Sequence, residues 1–287
     1  MDSIKTLHLA AADGTPLVGT LYGPPKDPRS AVLIGAALGV GQRFYASFAQ
    51  WLALQGSMVM TFDLRGIGAS LAPGQSLRTV QGDMLTWAQQ DFAAAVRALT
   101  AQSGQAQVTV IGHSLGAHHP AMTNAETQAR ITKVLSVAAG SGYWRDWAAP
   151  SRKLAPLMLH LAVPLLTPLF GYFPGKRLGM LGDLPRDVMR QLTRWYRHPQ
   201  FAWGVEPDLL LPTLANARFR VHAISFTDDE AMTLDCTRKL LAAMPNAPST
   251  LEVITPQSMG VQRIGHLGAF RKDQAAVLWP HLEQLLA

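Results

Sequence analysis

Apolar and polar positions along the 287-residue chain follow two alternating rhythms. Near the start, Lys5-Thr6-Leu7-His8-Leu9-Ala10 alternates, Asp13-Gly14 offers a turn, and Leu17-Val18-Gly19-Thr20-Leu21-Tyr22 returns. That pattern predicts two short strands around a turn. Pro24-Pro25-Lys26-Asp27-Pro28 then reads as a loop. Beyond it the β runs become continuously apolar: Ala31-Val32-Leu33-Ile34-Gly35, Met58-Val59-Met60-Thr61-Phe62, Val108-Thr109-Val110-Ile111 and Val134-Leu135-Ser136-Val137. Short continuous runs suit parallel strands buried on both faces. Helical spacing fills the gaps, with Phe44, Phe48, Trp51 and Leu52 over about 43–55, and Met84, Trp87, Phe92, Val96 and Leu99 over about 81–101. Strands alternating with helices predict a parallel sheet with crossovers.

At Gly140 the rhythm breaks. Residues 141–212 contain no clear strand and are rich in Trp, Pro, Leu and Met. The sheet pattern resumes at Phe219-Arg220-Val221-His222-Ala223-Ile224-Ser225-Phe226. A helix near 232–244, a strand at Leu251-Glu252-Val253-Ile254 and a helix over about 273–286 follow. The expected organisation is a core over 1–140 and 213–287 interrupted by an insertion at 141–212. Within the insertion, residues 154–173 are about as long as a membrane span. Pro156, Pro164, Pro168 and His160 interrupt that run, so it reads as two or three amphipathic or buried helices, with membrane contact as the minor alternative.

Composition narrows the class. Apolar residues make up 48% and charged residues 15%, which supplies a large core and excludes disorder. The net charge is +6, but Lys and Arg are scattered, without the runs that nucleic-acid binders use. The one local excess, nine Arg/Lys against five Asp/Glu in 141–212, reads first as a solvated basic face, with an anionic substrate or a membrane surface as the alternatives. Cys236 is the single cysteine, so no disulfide framework exists. Met1-Asp2-Ser3-Ile4-Lys5 has no apolar signal core, which makes a cytoplasmic location the default expectation. Oligomeric state is not readable from the pattern.

The chemistry centres on Val108-Thr109-Val110-Ile111-Gly112-His113-Ser114-Leu115-Gly116-Ala117. A strand runs into Gly-x-Ser-x-Gly, the order required by a nucleophile elbow: strand, sharp turn with serine at its apex, helix. Gly112 and Gly116 leave room where strand and helix pass, and the helix start offers free N–H groups near the serine. Pro120 predicts that this helix is short or kinked. His118 and His119 are adjacent, so their side chains leave the helix in different directions, and no metal site is expected from them.

Asp63-Leu64-Arg65-Gly66-Ile67-Gly68-Ala69-Ser70, Gly112-His113-Ser114-Leu115-Gly116, Asp228-Asp229 after a late strand and Gly265-His266 near the C-terminus together resemble the α/β-hydrolase superfamily. Phe226-Thr227-Asp228-Asp229-Glu230 and Arg263-Ile264-Gly265-His266-Leu267-Gly268-Ala269-Phe270-Arg271 are similar to segments of a bacterial group of predicted serine hydrolases of undefined substrate. The resemblance covers nearly the whole chain. It implies an α/β-hydrolase fold, a mostly parallel central sheet flanked by helices, with 141–212 as a helical cap. Many members carry His-Gly where Gly35-Ala36 stands here, which leaves the oxyanion donor open over 36–38.

The resemblance implies Ser114 as nucleophile and His266 as base. Asp229 is the favoured acid, counting from the strand start at Arg220, with Asp228 as the alternate. The other aspartate would cap a loop. Asp63 would fix a turn with Arg65 as a structural partner, and Asp146 is a remote alternative acid. His113 is expected to point away from the pocket, and His118 and His119 to serve as surface or packing residues. The Leu115 and Ala37 amides are the expected oxyanion-hole donors. The implied reaction is hydrolysis of an apolar acyl ester or thioester, a small molecule, through an acyl-enzyme and without a cofactor. An acyltransferase or a peptidase would keep the same triad, and a non-catalytic ligand-binding member of the fold is a further alternative. Dehalogenases and epoxide hydrolases place a carboxylate where Ser114 stands, which argues against both.

Overall fold

Ten strands form in the computed structural model, which describes residues 3–23, 27–180 and 182–286. They are β1 (Ser3–Ala10), β2 (Pro16–Gly23), β3 (Ser30–Gly35), β4 (Ser57–Asp63), β5 (Val108–His113), β6 (Ile131–Val137), the two-residue β7 (Tyr172–Phe173) and β8 (Leu184–Pro185), β9 (Arg220–Phe226) and β10 (Ser249–Ile254). Eight build one sheet in the order β1-β2-β4-β3-β5-β6-β9-β10. The β1–β2 and β2–β4 pairings are antiparallel, and every pairing from β4 to β10 is parallel. Gly14, at φ +83°, closes the first hairpin. Of the loop read over 24–28, residues 24–26 lie outside the described residues.

The continuous apolar runs become the inner strands because both sheet faces are covered. Leu33, Met60 and Val110 join a core with Trp87, Phe92 and Val96 of the helical run from Met84 to Ser103. Val32, Ile34, Val59 and Ile111 join the opposite core with Phe48 and Leu52 of helix Ala46–Leu54 and with Leu278 and Leu282 of helix Ala275–Gln284. Neighbours along each strand alternate between the two cores, as the pleat requires. Asp83 caps the Met84 run with a capping box to Thr86, and Gly104, at φ +69°, ends it.

All parallel strands point one way, so the loops after β3, β4, β5, β6, β9 and β10 gather at one edge, where such sheets bind ligands. The segment between β6 and β9 packs on that edge. The Ala148 amide donates to the Ala231 carbonyl, Ser151 Oγ donates to the Glu230 carbonyl at 2.6 Å, and the Met84 amide donates to Gln191 Oε1. Gly39 and Gly182 touch backbone to backbone.

One expectation for this segment is corrected. Pro156, Pro164 and Pro168 do not divide residues 154–173 into two or three helices; a single helical run covers Ala149–Phe170. A π turn at Met158–Ala162 contains His160, whose carbonyl Pro164 could not have bonded in a regular α-helix. Gly171, at φ +73°, ends the run.

Candidate active site

Ser114 follows β5 directly and holds φ +52°, a left-handed conformation costly for a serine. The glycines around it are there for steric reasons. A Cβ on Gly112 would stand 2.4 Å from Ala117 Cα, and one on Gly116 would stand 2.2 Å from the Gly35 carbonyl oxygen. The turn therefore lets strand, helix start and the end of β3 interleave. Behind it come a 3-10 turn, Ser114–Ala117, and a four-residue helix, His119–Met122, with Pro120 in its first turn. The helix is short, as Pro120 predicts.

His266 enters from the loop after β10. Its Nε2 is 3.0 Å from Ser114 Oγ, and its Nδ1 is 2.9 Å and 3.0 Å from Asp229 Oδ2 and Oδ1. The Asp229 side chain is 1% exposed and that of His266 is 14% exposed, so their contact is shielded while the imidazole edge still meets the site opening. Asp229 Oδ1 also accepts from the Ala231 and Met232 amides at 2.7 Å and 2.9 Å, which locks the carboxylate plane. Asp228 faces elsewhere. Its Oδ2 accepts from the Ile264 and Gly265 amides at 2.8 Å and 3.0 Å, so it caps the loop that delivers His266. Glu230, which sequence reasoning missed, completes that anchor: its Oε2 accepts from the His266 amide at 3.1 Å. Gly265, at φ +65°, lies so close to Glu230 that a Cβ would stand 2.8 Å from the same oxygen.

The remaining candidates separate cleanly. Asp63 fixes the turn after β4, accepting from the Gln42 and Ala69 amides at 2.7 Å and 2.8 Å. Arg65 instead pairs with Asp91 and Asp13, both at 2.6 Å. Asp146 binds Lys239 and does not approach His266 among the described contacts. His118 donates to the Gly140 carbonyl, and His119 packs on Phe92. Both are buried, which sets aside a surface role, and burial pulls their pKa values down to about 4 and about 3. No group of three or more potential metal ligands exists among the described residues.

The Ala37 amide, the other expected oxyanion donor, is engaged elsewhere in this structure: it donates to Tyr45 Oη at 2.9 Å. Tyr45 Oη lies 2.7 Å from His113 Nδ1, and His113 Nε2 lies 2.8 Å from the His266 carbonyl oxygen. A carbonyl only accepts, so Nε2 carries the proton and Nδ1 accepts from the phenol. Burial, with His266 adding to it, lowers the His113 pKa to about 3, and burial raises that of Tyr45. The Leu115 amide is different. It stands in the first turn behind Ser114, where helix geometry provides no internal acceptor.

The model of a family described as serine aminopeptidase, S33, matches residues 26–212, a span that includes Ser114 and stops before Asp229 and His266. Among solved structures, the esterase domain of a Rhodothermus marinus protein is similar at TM-score 0.60 and 20% identity, covering 99% of this chain and 97% of that one. The 2-hydroxy-6-oxo-6-phenylhexa-2,4-dienoate hydrolase of Rhodococcus sp. strain RHA1 is similar at TM-score 0.58 and 17% identity, over 98% and 99% of the two chains. Dipeptidyl peptidase 4 of Porphyromonas gingivalis is similar at TM-score 0.61 and 14% identity, over 99% of this chain and 35% of that one. A search of curated proteins returned no significant match. At these identities the likeness establishes a common fold and leaves the substrate to the site itself.

Proposed function

The chain belongs to the serine aminopeptidase S33 family, and on that footing we propose that it hydrolyses a carboxylic ester or thioester through Ser114, His266 and Asp229. The observation that carries this reading is the continuous contact from Ser114 Oγ through His266 to Asp229, at 3.0 Å and 2.9 Å. A serine hydroxyl is a weak nucleophile and needs a base within hydrogen-bond reach, itself held by a third group. In the proposed reaction Ser114 Oγ attacks the acyl carbon and its proton passes to His266 Nε2. Asp229 holds the imidazole by Nδ1–H and stabilises its cationic form. The Leu115 amide donates to the developing oxyanion, a contact of a kind whose loss slows kcat about 100- to 1,000-fold. His266 then protonates the departing alcohol or thiol, and a water molecule repeats the sequence on the acyl-enzyme.

The family's description favours a second reading, release of an amino-terminal residue from a peptide. Such an enzyme needs an unpaired acid to hold the free amine. Of the five acids in 141–212, Asp146, Asp187 and Glu206 are paired with Lys239, Arg186 and Arg194, Asp183 accepts from the Lys176 amide, and Asp208 stands exposed with no ion pair among the described residues. Three of the five are thus neutralised by cations, which leans toward the ester reading and leaves Asp183 and Asp208 as the acids a peptidase would have to use.

The test is labelling by a fluorophosphonate probe beside Ser114→Ala, followed by turnover of nitrophenyl esters of rising chain length and of aminoacyl nitroanilides. Labelling abolished in Ser114→Ala, with ester turnover well above nitroanilide turnover, is the expected result. Nitroanilide turnover in excess would move the assignment to the peptidase. A folded protein that is never labelled would leave a binding role.

A further inference from the structure

The helix Ala149–Phe170 presents apolar residues in two directions. Ala155, Leu159, Val163 and Thr167 recur every fourth residue and are buried on the fold. Leu154, Leu157, Leu161, Leu165 and Leu169 form a second stripe, 62%, 57%, 50%, 60% and 72% exposed. At the helical rise that stripe is about 22 Å long, and exposed Leu178 and Met180 follow beyond the helix end. Solvent-facing leucines on this scale mark a docking surface.

Charge identifies the partner. From Trp147 to Gly182 the sequence has no Asp or Glu. Arg152 and Lys153 stand exposed at one end of the stripe, and Lys176 and Arg177 stand exposed beyond the other. None of the four joins an ion pair among the described residues, and the Arg177 guanidinium lies over the Phe170 ring at 4.9 Å. We propose that this face docks on the surface of an anionic lipid bilayer, with the leucines in the acyl boundary and the four basic side chains at the headgroups. Long cationic side chains reach from an apolar surface to a polar layer in this way, and amphipathic helices of this composition lie in the interface plane.

Two other occupants fit less well. A helix spanning the bilayer would have to leave the fold, breaking the buried stripe and the Ser151–Glu230 contact. A second copy of the chain would bring basic helix ends against basic helix ends in either orientation, four cations on each face against the single carboxylate of Asp183 beside Lys176. The prolines that argued against lipid contact in the sequence sit inside an unbroken helix.

The test is co-sedimentation of the full chain with vesicles, either pure phosphatidylcholine or phosphatidylcholine with about one third phosphatidylserine. Wild type is compared with Leu161→Glu/Leu165→Glu and with Arg152→Ala/Lys153→Ala/Lys176→Ala/Arg177→Ala, each checked for an unchanged melting curve. The expected result is partitioning onto the anionic vesicles that weakens with salt, roughly fivefold weaker for each basic residue removed and lost in the double glutamate variant. Wild type remaining in the supernatant at millimolar lipid would overturn the proposal, as would undiminished binding by both variants. A lipid-free dimer that Leu161→Glu/Leu165→Glu dissociates would also overturn it and assign the face to a second copy. The readout does not use catalysis, so it stands or falls apart from the role of Ser114.

Discussion

Asp229→Asn isolates what the carboxylate does for His266. Asp229 Oδ1 already accepts two backbone N–H groups, from Ala231 and Met232. An amide at this position keeps its oxygen on those donors and turns its NH2 toward His266 Nδ1, where Oδ2 now stands at 2.9 Å. Nδ1 must then accept, so the ring proton moves to Nε2 and points at Ser114 Oγ. The base is lost without any change of shape. The same tautomer error in a serine protease costs about 10⁴ in kcat, roughly 5.4 kcal/mol at 1.36 kcal/mol per decade. Asp228→Asn is the control. Its amide oxygen can still accept from Ile264 and Gly265, but its NH2 would occupy the place of Oδ1, which is buried without a partner. That costs about 1–3 kcal/mol of stability, or about 2–5 °C in Tm for a chain of this length, and leaves kcat within about tenfold. Fluorophosphonate labelling rates and nitrophenyl ester kcat measure the first effect, and a melting curve measures the second. Asp229→Asn retaining kcat within tenfold, or Asp228→Asn losing as much as Asp229→Asn while still folded, would refute the assignment.

The Arg65 side chain is 6% exposed and that of Asp91 is fully buried. Asp91→Ala strands the guanidinium with Asp13 alone and is expected to cost about 3 kcal/mol, a Tm loss near 5 °C by calorimetry; Arg65→Met/Asp91→Leu should recover most of it. His113, His118 and His119 are held neutral by burial with pKa values of about 3, 4 and 3 against 6.5 for a free histidine. The unfolded chain therefore takes up these protons first, so their contribution is complete above pH 6.5 and is lost as pH falls toward 4. Urea titrations should show about 2 kcal/mol lost per histidine between pH 7 and pH 5, with one such share removed in His119→Leu. Cys236 is buried and its thiol pKa is raised, chiefly by burial. The native protein should ignore a disulfide reagent such as DTNB that reacts with one thiol in guanidinium; a fast native reaction would mean that the helix Leu234–Ala242 opens.

The sheet was legible because each inner strand is covered on both faces and so writes a continuous apolar run, as at Ala31–Ile34 and Met58–Phe62. The elbow was legible for a steric reason: only glycine fits at 112 and 116, beside Ala117 and Gly35. The order Ser114, Asp229, His266 could be read along the chain, and the structure brings the three side chains together. What stayed hidden depends on partners remote in sequence or on local backbone adjustment. Nothing near Arg65 announces Asp91, 26 residues on in a helix. Glu230 looks like a surface acid until the His266 loop folds onto it. Three prolines read as helix breaks, yet a π turn absorbs one of them and the run continues. The exposed leucine stripe shares its helix with a buried one, and hydropathy alone does not separate the two.

The Ala37 amide, Tyr45 hydroxyl, His113 ring and His266 carbonyl form one buried chain that joins the loops after β3, β5 and β10. Each member has its partner, which a low-dielectric interior demands. The directions are forced. The amide donates to the phenol oxygen, so the phenol proton must go to His113 Nδ1, and His113 Nε2–H must go to the carbonyl. A second proton on His113 would leave the phenol O–H with no acceptor and place a charge in a site with no exposure. The chain therefore exists only while His113 is neutral, and its pKa of about 3 keeps it so at neutral pH. The backbone of His266 is thus held by a buried histidine that stays neutral, and the same link keeps the Ala37 amide on Tyr45. For Ala37 to join Leu115 as an oxyanion donor, its amide would have to leave Tyr45, the one hydrogen bond in this chain that can break without moving His266.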